Sequence, residues 1–122
     1  MIKIFQDLGA WREGHKLVLL IYGVTGTFPR TETFGLSIQL RRAGISITSN
    51  IAEGFSRQSY KEKSYFYSIS KGSVTEAQNQ LIIAKDVGYI DERVFNEIYA
   101  QALLVQKILH GLIKHSRLQA KF

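Results

Sequence analysis

The sequence predicts an all-α chain: an antiparallel, up-down-up-down four-helix bundle that assembles into a homo-oligomer. Three observations predict it. Apolar residues recur at spacings of three and four through four segments, each bounded by capping or turn residues. Proline occurs once, and strand-like alternation is absent from any convincing window. The segment from Phe34 to Phe55 is apolar on two faces, and such a helix must be covered twice.

The first helix is expected over 8–28, with Asp7 as N-cap and Leu8, Trp11, His15, Val18, Tyr22 and Thr25 along one face. Pro29 stops it, because proline cannot continue a helix without losing a hydrogen bond. Gly14 and Gly23 lie inside it, each costing about 1 kcal/mol relative to alanine. Close approach of another helix backbone would explain both, with functional neutrality the equal alternative. The second helix, 34–56, is expected to be capped by Thr31 or Thr33. Leu36, Leu40, Ala43, Ile47 and Ile51 form its core stripe, with Phe34, Ile38, Ile45 and Ala52 opposite.

Ser59 and Glu62 form a capping box that opens the third helix, 60–87, which carries Phe66, Ile69, Ser73, Glu76, Gln80, Ile83 and Val87. Gly88 follows as a cap able to take positive φ. Asp91 caps the fourth helix, 92–115, where Phe95, Ile98, Ala102, Val105, Leu109 and Leu112 keep a heptad rhythm. Residues 116–122 are read as a basic tail that frays. Short turns between long helices make successive helices antiparallel. Leu17, Leu20, Val24, Leu104 and Ile108 fall off these core stripes and favour an oligomer over a monomer.

At 122 residues the chain is one domain, 1–122, large enough to bury a core. Its longest apolar run, Leu17 to Tyr22, is too short to span a bilayer, so no membrane association is expected. No export signal is read at the N-terminus. The absence of cysteine excludes disulfides, thiolate zinc sites and cysteine nucleophiles, and fits a cytoplasmic location. Sixteen basic against ten acidic residues leave a net charge of +6, a modest pointer to a polyanion.

Catalytic and cofactor signatures are missing. His15, His110 and His115 share no metal-binding spacing, and neither Glu53 nor Glu76 has the Glu-x-x-His partner of a carboxylate di-metal bundle. Ser46 lacks the second glycine of a nucleophile elbow, and Lys71-Gly72-Ser73 has the wrong order for a phosphate loop. The expectation is a non-enzymatic chain with no cofactor and no metal.

Two polar features remain. Gln39, Arg42, Ser46, Asn50 and Glu53 run along one flank of the second helix, with Glu76 and Gln80 as candidate partners on the third. Half-buried charges need hydrogen bonds, so this flank reads as a polar network fixing register or a subunit interface, with a ligand site as the alternative. The second feature is Arg57, Lys61 and Lys63 interleaved with Tyr60, Tyr65 and Tyr67. Cations take phosphates while rings stack on bases, so Arg57, Lys61 and Lys63 are candidate phosphate contacts and Tyr60 a candidate stacking residue. Arg41, Lys114, Arg117 and Lys121 could extend the basic surface.

Gln39-Leu40-Arg41-Arg42-Ala43 with Ser46-Ile47, then Asn50-Ile51-Ala52-Glu53-Gly54, carries a family signature. The run resembles the small four-helix-bundle proteins first noted in intervening sequences of bacterial large-subunit ribosomal RNA genes. The resemblance extends to Trp11, Phe28-Pro29, Glu32, Phe34-Gly35-Leu36, Gly72-Ser73, Glu76 and Gly88-Tyr89-Ile90. Thr48, where the family often has proline, and Gly44, where it often has a larger apolar residue, depart from it. The resemblance implies a cytoplasmic bundle that closes into a ring, commonly a homopentamer. It also implies kinship with the accessory proteins of diversity-generating retroelements, basic ring-shaped bundles that bind nucleic acid and a partner reverse transcriptase. The expected function is therefore a homo-oligomeric accessory protein that binds structured RNA or an RNA–DNA intermediate. The alternative is a protein-interaction scaffold whose charge is incidental.

Overall fold

The computed structural model describes residues 1–121. It contains four helices, α1 (Gly9–Thr25), α2 (Leu36–Ser56), α3 (Tyr60–Asp86) and α4 (Glu92–Ala120), and no strand among the described residues. Short 3-10 turns at Phe5–Asp7 and Arg30–Glu32 precede α1 and α2. Each helix packs against the next in sequence, and α4 returns to α1. Cross-helix bonds fix the directions. Lys63 meets Phe55, Ser70 meets Ile47 and Ser73 meets Ser46, so α2 and α3 are antiparallel. Gln78 with Gln106 and Lys71 with His110 give the same relation between α3 and α4.

Two of the expected caps form. The Ser59 hydroxyl accepts from the Glu62 amide at 3.1 Å, and Asp91 Oδ1 accepts from the Val94 amide at 2.8 Å. Gly88 takes φ 87° where the chain leaves α3. The other two differ. Asp7 turns back to accept from the Lys3 and Ile4 amides, leaving Leu8 at the N-cap of α1 with no side-chain bond. Gly35, not a threonine, precedes α2, and the Leu36 amide donates instead to Glu32 Oε1 at 3.0 Å. Glu32 Oε2 also accepts from the Tyr89 hydroxyl at 2.7 Å. One carboxylate thus caps α2 and ties its entry to the turn before α4.

The core stripes of α2 and α4 are largely as read: Leu40, Ala43, Ile47 and Ile51 of α2 and Phe95, Ile98, Ala102, Val105 and Leu109 of α4 are buried in one apolar cluster, with Leu36 only part-buried. In α4, Ile113 is buried beyond them, with Leu112 only part-buried. Those of α1 and α3 are as read only in part: Leu8 and Thr25 of the first and Ser73 and Gln80 of the third are buried, and the rest differ. Leu17 and Ile21 are fully buried, with Ala10, Gly14 and Val24 on the same face, while Tyr22 and His15 point outward. Small Ala10 and Gly14 let α1 approach α2: a Cβ on Gly14 would stand 3.3 Å from Thr48 Cγ2. Gly23 has open space beside it and serves no such approach. Leu17 and Val24 are therefore core residues and give no support to an oligomer.

In α3 the buried residues are Ser64, Tyr67, Ser70, Ser73, Val74, Ala77, Gln78, Gln80, Leu81 and Ala84, and Ile69, Ile83 and Val87 are exposed. This helix is pressed between α2 and α4, and serines and alanines alternate there with larger buried side chains. Of the tail expected to fray, residues 116–120 continue α4 and Lys121 caps it, while Phe122 lies outside the described residues. Of the second apolar face expected on α2, Ile45 is 43% exposed, Ile38 and Ala52 are half-buried, and Phe34, which precedes the helix, is 93% exposed. No helix among the described residues is long and apolar enough to cross a membrane.

Candidate nucleic-acid interface

The α2–α3 turn and the last turns of α4 lie at the same end of the bundle, because α3 and α4 run antiparallel. The Tyr60 ring there meets His115 edge-on, with centroids 6.1 Å apart. This arrangement gathers Arg57, Tyr60, Lys61, Lys63, Lys114 and Arg117 at one end. Arg41 stands at the other, its Nε donating to Thr25 Oγ1 at 2.7 Å and its guanidinium 4.5 Å from the Tyr22 ring.

The gathered cations are not equivalent. Lys63 Nζ donates to the Phe55 carbonyl at 2.7 Å, an acceptor at the C-terminus of α2, and to the Gly54 carbonyl at 3.4 Å, which also accepts from the Arg57 amide. Burial pushes its ammonium below the ordinary lysine pKa. Arg57 lies 4.6 Å from the Phe66 ring centre and 3.6 Å from a Glu53 oxygen, and its buried Nε has no partner. Both side chains hold the α2–α3 corner together. Lys61 is exposed, and so is Tyr60 along one face.

Lys114 and Arg117 line a groove of about 560 Å³ between α3 and α4. The remaining walls are Ser68, Lys71, Gly72, Thr75, His110, Ile113, Leu118 and Lys121. Among the described residues, four permanent cations and a histidine line this groove with no carboxylate. Lys71 Nζ sits 3.2 Å from His110 Nδ1. The described ion pairs, Lys16 with Glu13 and Arg57 with Glu53, include none of the four groove cations. Such a surface attracts a polyanion, because each added cation raises the local potential and none is screened by a fixed acid.

The polar flank of α2 is partly a network. The Ser46 and Ser73 hydroxyls lie 2.8 Å apart, and Asn50 Nδ2 donates to Ser46 O at 2.8 Å and to Ser46 Oγ at 3.1 Å. Ser70, fully buried, donates to the Ile47 carbonyl at 2.7 Å. These bonds set the register of α2 against α3. The charged members behave otherwise than expected. Glu53 is taken up by Ser56 and Arg57 at its own helix end, and Glu76 accepts from Gln80. Gln39 and Arg42 are exposed and enter none of these bonds.

Residues 6–111 match the family model described as 23S rRNA-intervening sequence protein. The chain belongs to that family. Among solved structures, this intervening-sequence protein is similar to a protein of unknown function from the S23 ribosomal protein family of Bacteroides thetaiotaomicron VPI-5482. The two share 22% identity and a TM-score of 0.80, over 86% of this chain and 95% of that one. At that identity the likeness shows the four-helix fold. No curated protein matches the sequence. The family match ends before Lys114, Arg117 and Lys121, so the C-terminal wall of the groove in this intervening-sequence protein lies outside it.

Lys71 and His110 were not among the site residues read from the sequence. In the sequence Lys71 belongs to a run with the wrong order for a phosphate loop, and His110 is a histidine without a metal-ligand partner. One signal was available: from Ile98 onward the chain contains no Asp or Glu, so the second half of α4 carries only basic charge.

Proposed function

We propose that this intervening-sequence protein is a non-enzymatic, nucleic-acid-binding accessory protein that holds structured RNA, or an RNA–DNA intermediate, on the basic end of its bundle. The observation that carries the reading is the α3–α4 groove, where Lys71, Lys114, Arg117 and Lys121 converge with no acid in the lining. Lys61 and the exposed Tyr60 extend the surface toward the α2–α3 turn, where a base could stack. Lys63, Arg57 and Arg41 support it from within rather than touching phosphate.

The exposed apolar residues Phe34, Ile45, Leu103 and Leu104 support a homo-oligomer, with copies of the chain covering one another. The family's ring, commonly a pentamer, is the assembly to test first. In a ring each copy would add its groove, and weak contacts would sum by avidity. A reverse transcriptase of a diversity-generating retroelement is the protein partner the family kinship suggests, and the cytoplasm is the compartment.

The decisive measurement is the salt dependence of binding to a labelled RNA hairpin. The logarithm of the binding constant should fall linearly with the logarithm of salt, and neutralising one groove cation should lower that slope by about one unit. Binding indifferent to salt, or none at low salt, would remove the reading. Pull-down before and after nuclease treatment separates it from a scaffold, which keeps its protein partner once nucleic acid is digested.

A further inference from the structure

At the end of the bundle opposite the basic groove, the loop after α1 and the first turns of α2 enclose a cavity of about 230 Å³. Arg30, Thr33, Ser37 and Arg41 line it with donors, and among the described residues no acid does. Arg41 makes no phosphate contact in the distant groove, but here its guanidinium is already positioned. Its Nε donates to Thr25 Oγ1 at 2.7 Å, and the group lies 4.5 Å from the Tyr22 ring. Thr25 is fixed in turn, donating to the Ile21 carbonyl at 2.7 Å. A planar fork held at its inner nitrogen keeps its outer N–H groups for a ligand, in the geometry that suits a phosphate.

Ser37 is a second, independent sign of a ligand. It is only 7% exposed, yet its hydroxyl has no hydrogen-bond partner among the described residues. Buried hydroxyls are as a rule paired, because an unmade bond costs more than a made one returns. The fully enclosed side-chain atoms that lack partners are Arg57 Nε and Gln80 Oε1, so the Ser37 hydroxyl opens onto the cavity it lines. The backbone adds two donors. Leu36 gives its amide to Glu32, and the α2 ladder begins with the Gln39 amide on Gly35. The Ser37 and Ile38 amides are left between them at the positive end of the helix, where anions bind. Glu32, the nearest acid along the chain, is outside the lining, its two oxygens engaged by Leu36 and Tyr89.

The donor count selects the anion. Two arginines, two hydroxyls and two amides exceed what the two free oxygens of a phosphodiester can accept, whereas a terminal phosphate brings three oxygens and a second charge. The space is smaller than the roughly 300 Å³ at which pockets take whole small molecules, so the phosphate alone is enclosed and its carrier stays outside. We propose that this cavity binds a terminal phosphate, as inorganic phosphate or a phosphate monoester. The site is separate from the basic groove and does not depend on the nucleic-acid reading.

The test is a titration of the isotope-labelled chain with inorganic phosphate at constant ionic strength and about pH 7.5, where the anion carries close to two charges. Amide NMR should show the Ser37 and Ile38 signals shifting and saturating. Arg30→Gln, Arg41→Gln and Ser37→Ala should each weaken that response about tenfold, the worth of one charge-assisted bond. Thermal melting checks that each variant is folded. Arg30 is exposed, so its variant keeps the test valid should loss of the Arg41–Thr25 bond unfold the other. Two further probes identify the carrier: uridine monophosphate, which ends in a phosphate, and uridylyl-uridine, which holds only a diester. Saturation by inorganic phosphate and the nucleotide alike supports a site for the free ion and its esters, and saturation by the nucleotide alone supports one for the ester. Equal shifts from uridylyl-uridine or from sodium chloride overturn the proposal. So do shifts confined to the α3–α4 groove, or a response that survives both arginine changes.

Discussion

Lys63 Nζ donates to the Phe55 carbonyl at 2.7 Å across the α2–α3 turn, so a lysine that begins one helix closes the end of the one before it. The bond explains why a residue in an apparently basic motif is not free to meet a ligand. It also separates structural from recognition charge at this end of the bundle.

Replacing Lys63 by Met keeps the aliphatic stem and removes the donor. The variant should lose about 1 kcal/mol of stability, the usual worth of one such bond, with RNA affinity unchanged. Lys114→Gln should do the reverse, leaving the denaturation midpoint in place and weakening RNA binding at low salt. Chemical denaturation and anisotropy on the same two proteins decide the matter; a loss of affinity in Lys63→Met would return that residue to the binding surface.

Gly54 faces α3 so closely that an added Cβ would stand 2.7 Å from Tyr67 Cε1 and 3.2 Å from Phe66 Cβ. Gly54→Ala should destabilise the bundle by about 1–3 kcal/mol, overpacking outweighing the better helix propensity. Gly111 in α4 has nothing within 4 Å of such a Cβ, so Gly111→Ala should stabilise by about 0.5–1 kcal/mol. Urea denaturation curves showing the same sign for both would contradict this packing.

Glu32 accepts from the Leu36 amide and the Tyr89 hydroxyl, and these bonds hold its carboxyl below the ordinary glutamate pKa. A carboxyl with a depressed folded pKa contributes stability that is present above the unfolded value of 4.5 and is lost as pH falls through the folded one. Glu32→Gln should flatten the acid limb of a stability–pH profile. Tyr89→Phe should lower the melting temperature and couple to Glu32→Gln in a double-mutant cycle; strictly additive losses would mean the bond carries no energy.

Burial between α2 and α3 pushes the Tyr67 phenol up to about 12, with Tyr60 a lesser contributor. Its folded pKa exceeds the unfolded 10.0, so the contribution is complete below that value and disappears as pH climbs through about 12. Tyr67→Phe should therefore resist alkaline unfolding better than the native chain. Tyrosinate absorbance near 295 nm, about where ionised phenols absorb, should show one late-titrating ring that the variant lacks.

The stripes of α2 and α4 were legible because each carries one line of large aliphatics at helical spacing. Those of α1 and α3 were not. In α1, Leu17, Ile21 and Val24 compete with an equally regular line of Trp11, Val18 and Tyr22, and periodicity cannot rank two complete stripes. Trp11 instead stacks on His15 at 4.7 Å, at the rim of the bundle. In α3 half of the buried residues are serine or alanine and two more are Gln78 and Gln80, which no hydrophobic pattern reveals, because close packing selects for shape and volume rather than for oiliness. At the site, Lys114 and Arg117 were readable as a basic run, but their convergence with Lys71 and His110 joins positions 39 residues apart for the histidine pair.

Local chemistry settled the helix count, two of the four caps, the Gly88 turn and the family signature, since each depends on residues within a few positions of one another. Which face of α1 and α3 turns inward, which cations are consumed in holding the corner, and which remain to line a groove were decided only when the helices packed. Those outcomes depend on the distance between chain segments that the linear order does not encode.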